Sequence, residues 1–274
     1  MNNIIGLYRR RMMMSALSSG VDVAALSITY TGAHTDYGMV TMSDGARYRL
    51  LAFTASGTLS IEQPVNCEVC VVGGGANGAK AANRSGGRGG AGAYLKNQAA
   101  SAYNGGSVVV GAGQGVSSIA DVSVHAVSGQ NGGTGAGGLT AGRGDGISKY
   151  PFEDTGYSLW AGKPHCAGGG EGAYEYTTNQ NVTRGLSGGD GGTNGGDGYT
   201  GGTSYVQSAP GGVGGSYGGG AGGGHTAGNG ENATYYGSGA GGGRYYRNVD
   251  GDETLSNGGS GYQGIVYIRI PVIQ

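Results

Sequence analysis

The chain has 274 residues, 67 of them glycine, or about a quarter of the sequence where ordinary soluble proteins carry about 7%. Charged residues are only 12% and the formal net charge is -1, which leaves no basic footprint for phosphate neutralisation, so a nucleic-acid partner is not expected. No stretch approaches the roughly 18 consecutive apolar residues of a membrane-spanning helix, so no membrane insertion is expected.

Residues 1–26 form an N-terminal segment. Within it LYRRRMMMSAL (residues 7–17) reads as a short helix with a basic end and a methionine stripe, either a frayed terminus or a docking tag for a larger assembly. Its apolar part is shorter than the roughly 7–15 residues of a signal-peptide core. Three cysteines make no disulfide framework, which points to folding in a reducing cytoplasm.

From Ser27 the pattern changes to short β segments, SITYTG, YGMVTM, ARYRLLAFTA, TLSIE and CEVCVV, separated by turn residues. SVVVG (107–111) and DVSVHAV (121–127) are of the same kind, and GIVYIRIPVI (264–273) closes the chain. In that last segment Val266, Ile268 and Ile270 share an apolar face, whereas Ile265, Tyr267 and Arg269 share a mixed one. Residues 27–72 and 262–274 are therefore expected to form one small β-sandwich-like scaffold, which the chain leaves at Val72 and re-enters at Gly264.

Between them, residues 73–261 hold 60 of the glycines, in irregular pairs and triplets. Collagen is excluded, since it needs glycine at every third position and abundant proline, and the whole chain has 5 prolines. Disorder is the plain alternative for such a composition. Ordering each glycine costs roughly 0.5–1 kcal/mol relative to alanine, so a folded region needs a large offset. Extended threefold glycine helices offer one, because without side chains their backbones approach and hydrogen-bond to one another. Low charge and the presence of 13 of the 19 tyrosines in this region favour packing over disorder.

Three stretches in order carry a resemblance: CEVCVVGGGANGAKAANRSGGRGGAGAYL, then NGGSVVVGAGQG, then GGSGYQGIVYIRIP. Together they resemble the glycine-rich domain of bacteriophage tail-fibre and tail-tip adhesins over residues 28–271. That resemblance implies an all-β protein with a non-regular glycine-rich region, a β scaffold enclosing a bundle of polyglycine type II helices. It further implies a virion protein, made in the bacterial cytoplasm, whose loops touch a host-cell surface protein or glycan. The N-terminal segment would join other tail proteins, and a homotrimer is one arrangement such fibres take. The glycine-rich extracellular region of anaplastic-lymphoma-kinase-type receptors is similar in composition.

Several chemical motifs match by chance. Gly73, Gly75 and Gly78 satisfy the dinucleotide fingerprint, but no helix can follow in AKAANRSGGRGGAG. The two GxSxG matches, at Ser187 and Ser216, sit on no strand-to-helix turn. Cys67 and Cys70 have CxxC spacing, yet on a strand they point to opposite faces, with no second ligand pair nearby in sequence. Asp250, Asp252 and Glu253 read as a solvated loop rather than a calcium site. No cofactor, metal or enzymatic constellation is expected.

The loops between glycine runs mix tyrosine with asparagine, serine and threonine, a composition suited to adaptable protein recognition surfaces. Tyr150, Phe152, Tyr157 and Trp160 are the expected main receptor anchor, with Tyr174, Tyr176, Tyr205, Tyr235, Tyr236, Tyr245 and Tyr246 as further contacts. The alternative is that these rings cover a glycine bundle lacking other apolar surface, in a structural assembly or cell-surface protein that recognises no ligand.

Overall fold

A computed structural model of the protein describes residues 21–82, 86–90, 92–119, 124–126, 150–177, 183–186, 211–215, 217–224, 228–248 and 250–272, with the side chains of 124–126, 174–177 and 183–186 set aside. The described residues are nearly all β. Strands β1 (Ile28–Tyr30), β2 (His34–Thr41), β3 (Arg47–Phe53), β4 (Gly57–Val72), β5 (Leu95–Val109), β6 (Ser117–Ile119), β7 (Val124–Ala126) and β12 (Ile265–Pro271) form one antiparallel sheet. Its order is β2-β3-β12-β4-β5-β6-β7, with β1 added along β4. A smaller sheet has the order β11-β10-β8-β9, from β8 (Tyr174–Thr177), β9 (Thr183–Leu186), β10 (Tyr245–Arg247) and β11 (Glu253–Leu255).

The last strand enters the middle of the large sheet, between β3 and β4, where its β-branched residues fill both faces. Ile265 is the register partner of Val72, so the point where the chain leaves the sheet and the point where it returns are neighbours. The glycine-rich region thus begins and ends at one end of two adjacent central strands. The scaffold is larger than the sequence division places it, because β5, β6 and β7 fall within 73–261 and yet extend the same sheet. Val23 and Leu26, assigned by sequence to the N-terminal segment, are also buried in the scaffold core.

The register of β4 on β5 shifts between Ser60 and Cys67. Such bulges bend a strand, and here the two halves of the pair close over one apolar cluster that includes Leu59, Ile61, Val69, Val71, Val108, Val266 and Ile268. The bend brings Gly111, just past β5, against Gly264, whose amide donates to its carbonyl at 2.8 Å. The opposite face of the sheet is apolar too. Leu50, Ala52, Cys70, Val72, Ile265 and Tyr267 are buried there under Phe152, Trp160 and Cys166, so the face expected to be mixed is a second core.

Segment 237–245 runs through the glycine-rich bundle. Ala240 and Gly243 donate to the carbonyls of Ala76 and Ala79, Gly239 and Gly242 to those of Ala167 and Gly170, and Gly241 and Arg244 to those of Glu231 and Gly228. In return its carbonyls accept from Gly87, Gly90 and Ala93, from Ser256, Gly259 and Tyr262, and from Gly220 and Gly223. One extended segment is therefore bonded to six others, each reached by every third residue. A pleated strand has a period of two and neighbours on two sides only; a period of three lets a chain bond all the way round. Glycine is required where these backbones meet. A Cβ on Gly241, Gly242 or Gly243 would collide with the carbonyl oxygens of Ala221, Gly87 and Ser256 respectively. The bundle thus exchanges side-chain packing for backbone hydrogen bonds, each satisfying a buried amide.

Candidate functional site

Residues 150–166, which carry the expected anchor residues Tyr150, Phe152, Tyr157 and Trp160, lie over the second face of the large sheet. A single 3-10 turn, Pro151–Glu153, opens the loop, and the amide of Phe152 donates to Asn97 Oδ1 at 3.0 Å. Asp154 holds the loop to the β2–β3 turn. Its carboxylate accepts from the Ser43 amide (3.0 Å), the Ser43 hydroxyl, and the amides of Gly156 and Tyr157 (3.1 Å each). Partial burial raises the pKa of this carboxyl, but those donors outweigh it and hold the group below the usual carboxylate range.

Trp160 is fully buried, its indole nitrogen donating to the Asp154 carbonyl and its ring edge-on to Tyr157 and Tyr267 at 4.8 and 5.5 Å. Phe152, at φ 57°, lies in the left-handed region and lays its ring 4.4 Å from the Arg269 guanidinium. Tyr48 stands at the same distance from that guanidinium, which pairs with Glu68 at 2.7 Å. Both expected anchors are core residues, because a sheet apolar on both faces needs a second covering layer. Tyr150 and Tyr157 are half-buried and pack against that layer.

Tyr245 is likewise buried, with its hydroxyl donating to Glu253 Oε1 at 2.8 Å. Tyr246 is half-buried, its ring 4.8 Å from the Arg244 guanidinium. In the smaller sheet the backbones of Tyr174 and Tyr176 face those of Tyr245 and Arg247. Tyr205 lies outside the described residues.

Tyr235 and Tyr236 are placed differently. They line a groove of about 250 Å³ with Thr35, Tyr37, Ala52, Thr54, Leu159, Lys163, Ile265 and Tyr267. The cross-strand register builds its floor, since Thr35 faces Ala52 and Ala52 faces Tyr267 across β2, β3 and β12. The 150–166 loop contributes one wall, and the turn at Tyr235–Tyr236 contributes the other. The rings continue outward, with Tyr217 edge-on to Tyr235 at 4.8 Å and Tyr262 against Tyr236 at 5.6 Å.

Behind the groove His165 is fully buried, 3.1 Å from the Tyr267 hydroxyl through Nε2 and 4.9 Å ring to ring from Tyr235. Burial lowers its pKa to about 3, against a smaller opposing effect of the Lys163 backbone carbonyl. The imidazole is neutral at ordinary pH and packs as an aromatic. Burial also raises the hydroxyls of Tyr235 and Tyr267, so both stay protonated.

Sequence reasoning missed Tyr37, Lys163 and Tyr267. Tyr37 precedes Gly38, which has φ 65°, and Tyr37 and Gly38 together stand opposite Leu50, where the register of β2 on β3 shifts. A glycine inside a strand pattern signals such a bulge; Tyr37, two residues beyond Thr35 on β2, keeps the face on which Thr35 lines the groove. No Asp, Glu, Cys or His among the described residues lines this groove. Among the described residues no group of three or more His, Cys, Asp or Glu is placed to hold a metal. No protein-family model, no curated protein and no solved structure matches this chain.

Proposed function

We propose that the protein is a non-enzymatic component of a bacteriophage tail, of the tail-fibre or tail-tip adhesin kind, that binds a receptor on the host-cell surface. The three ordered motifs support the family reading. The three-residue period of the hydrogen bonds around segment 237–245 supports packed polyglycine type II helices as its rigid frame.

The observation that carries receptor binding is the tyrosine-lined groove. It is concave, held by three separate parts of the chain, and rimmed by rings that give large contact area with little rotamer freedom to lose. Tyr37 and Tyr217 are 40% and 42% exposed at its margin, so a partner reaches them without unfolding anything. The N-terminal segment attaches the protein to other tail components in this reading.

The test is binding of the labelled full chain to intact cells of the host bacterium, compared with Tyr37→Ala and Tyr235→Ala. Retained folding with cell binding reduced about tenfold or more is the expected result, as for aromatic residues at an interface centre. Unchanged binding by both variants would remove the groove from the reading. Purified protein that assembles but binds no cells would favour the purely structural role.

A further inference from the structure

Resting on the receptor-binding reading, we infer that the groove takes a single acidic sugar unit of a surface polysaccharide, a pyranose bearing a carboxylate. Size is the first reason. At about 250 Å³ the groove lies below the roughly 300–1,000 Å³ of sites for drug-sized ligands, which suits one ring rather than a run of peptide.

The floor is the second reason. Thr35, Ala52, Thr54, Ile265 and Tyr267 present side chains on a sheet face where β3 and β12 are paired on both sides and β2 is the edge strand. A peptide that binds by adding a strand needs a free sheet edge, and this surface supplies side chains instead. The lining as a whole combines the rings and hydroxyls of Tyr37, Tyr235 and Tyr236 and the hydroxyl of Thr35 with the apolar Ala52, Leu159 and Ile265, while the Tyr267 hydroxyl is held at His165 and that of Thr54 donates to the Ala33 carbonyl. A pyranose has one face of C–H groups that lies on an aromatic ring and an edge of hydroxyls that both donate and accept, which is what tyrosine and threonine hydroxyls do.

Charge is the third reason. Among the described residues Lys163 is the one charged residue lining the groove, with its ammonium 6.0 Å from the Tyr217 ring centroid and no acidic residue beside it in the lining. Its three donors complement a carboxylate, and an ion-assisted hydrogen bond is roughly twice as strong as a neutral one. A neutral sugar would offer that ammonium a hydroxyl acceptor without the opposite charge.

The experiment is calorimetric titration of the full-length chain with oligosaccharides containing glucuronate, galacturonate or a nonulosonate, each beside its carboxyl-reduced counterpart. At least one acidic form is expected to bind about tenfold more tightly than its reduced partner. Lys163→Gln should abolish that preference, and Tyr37→Ala should weaken both forms. Leu255→Ala, on the separate smaller sheet, should change neither.

Equal binding of acidic and reduced forms, or no binding of any of them by the folded chain, overturns the inference. So does a preference that survives in Lys163→Gln. If the same preparation still binds host cells through Tyr37 and Tyr235, receptor binding stands and only the sugar assignment falls. If it binds the acidic sugar and no cells, the receptor reading falls and the site remains.

Discussion

Gly242 and Gly87 lie so close that a methyl group on the first would occupy the space of the second's carbonyl oxygen. Gly87 in turn donates its amide to the carbonyl of Gly243 at 2.7 Å, so the contact is part of the ladder. Gly242→Ala has no flexible side chain to push aside and must separate two backbones. A loss of about 3 kcal/mol or more is expected in denaturant melts, at or above the usual range for overpacking. Val213→Ala, at a residue 66% exposed, should stay within about 0.5 kcal/mol.

Segment 237–245 is bonded to six neighbours, so its amides open only when the bundle does. In hydrogen exchange the amides of Ala240, Gly241, Gly242 and Gly243 are expected among the slowest of the chain, approaching the global unfolding free energy. Fast exchange there would mean that the glycine segments do not pack as described.

Trp160 is the single tryptophan and is fully buried. Its fluorescence should be blue-shifted and shielded from acrylamide in the native chain, then red-shifted and quenched on unfolding. Trp160→Ala should cost roughly 3–5 kcal/mol. A solvent-exposed emission spectrum in the folded protein would restore Trp160 as a surface anchor.

The part-buried Arg269–Glu68 pair, 2.7 Å apart with the arginine buried, gives a fourth prediction. Glu68→Ala leaves a guanidinium between Tyr48 and Phe152 without its carboxylate, which should cost roughly 3–5 kcal/mol. Replacing both partners, with Arg269→Met and Glu68→Gln, should cost clearly less than the single change. A small loss in Glu68→Ala beside a larger one in the double variant would show that the ring contacts, rather than the ion pair, carry the stability.

His165 sets a pH dependence. Its unfolded imidazole gains a proton near pH 6.5, whereas the buried one gains it only near pH 3. Between those values the unfolded chain holds the extra proton, so stability falls as pH falls, by about 1.4 kcal/mol per pH unit. Asp154, held below the usual carboxylate range, adds its own loss only at still lower pH. In melts from pH 7.5 to pH 4.5, His165→Asn should flatten the slope; an unchanged slope would assign it to other groups.

Much of the architecture was legible from residue order. The apolar segments ending at Val72 and beginning at Gly264 predict a strand exit and return on one scaffold, and Ile265 does pair with Val72. The alternation in GIVYIRIPVI gave the first core face. What it concealed was the second, because Tyr267 and Arg269 read as half-polar until Trp160, Phe152 and Glu68 are seen around them.

The sequence by itself determined that glycine dominates the middle of this protein and that β strands bracket it, since both follow from composition and local periodicity; that glycine backbones bond to one another there is seen only in the hydrogen bonds around segment 237–245. Only the tertiary structure decided which aromatics face solvent. Tyrosine and tryptophan between glycine runs look alike in sequence whether they cover a sheet or line a groove. Burial depends on which surface a distant segment brings to them: β12 and β3 buried Trp160, and the turn at Tyr235–Tyr236 met the β2 face that carries Thr35 and Tyr37.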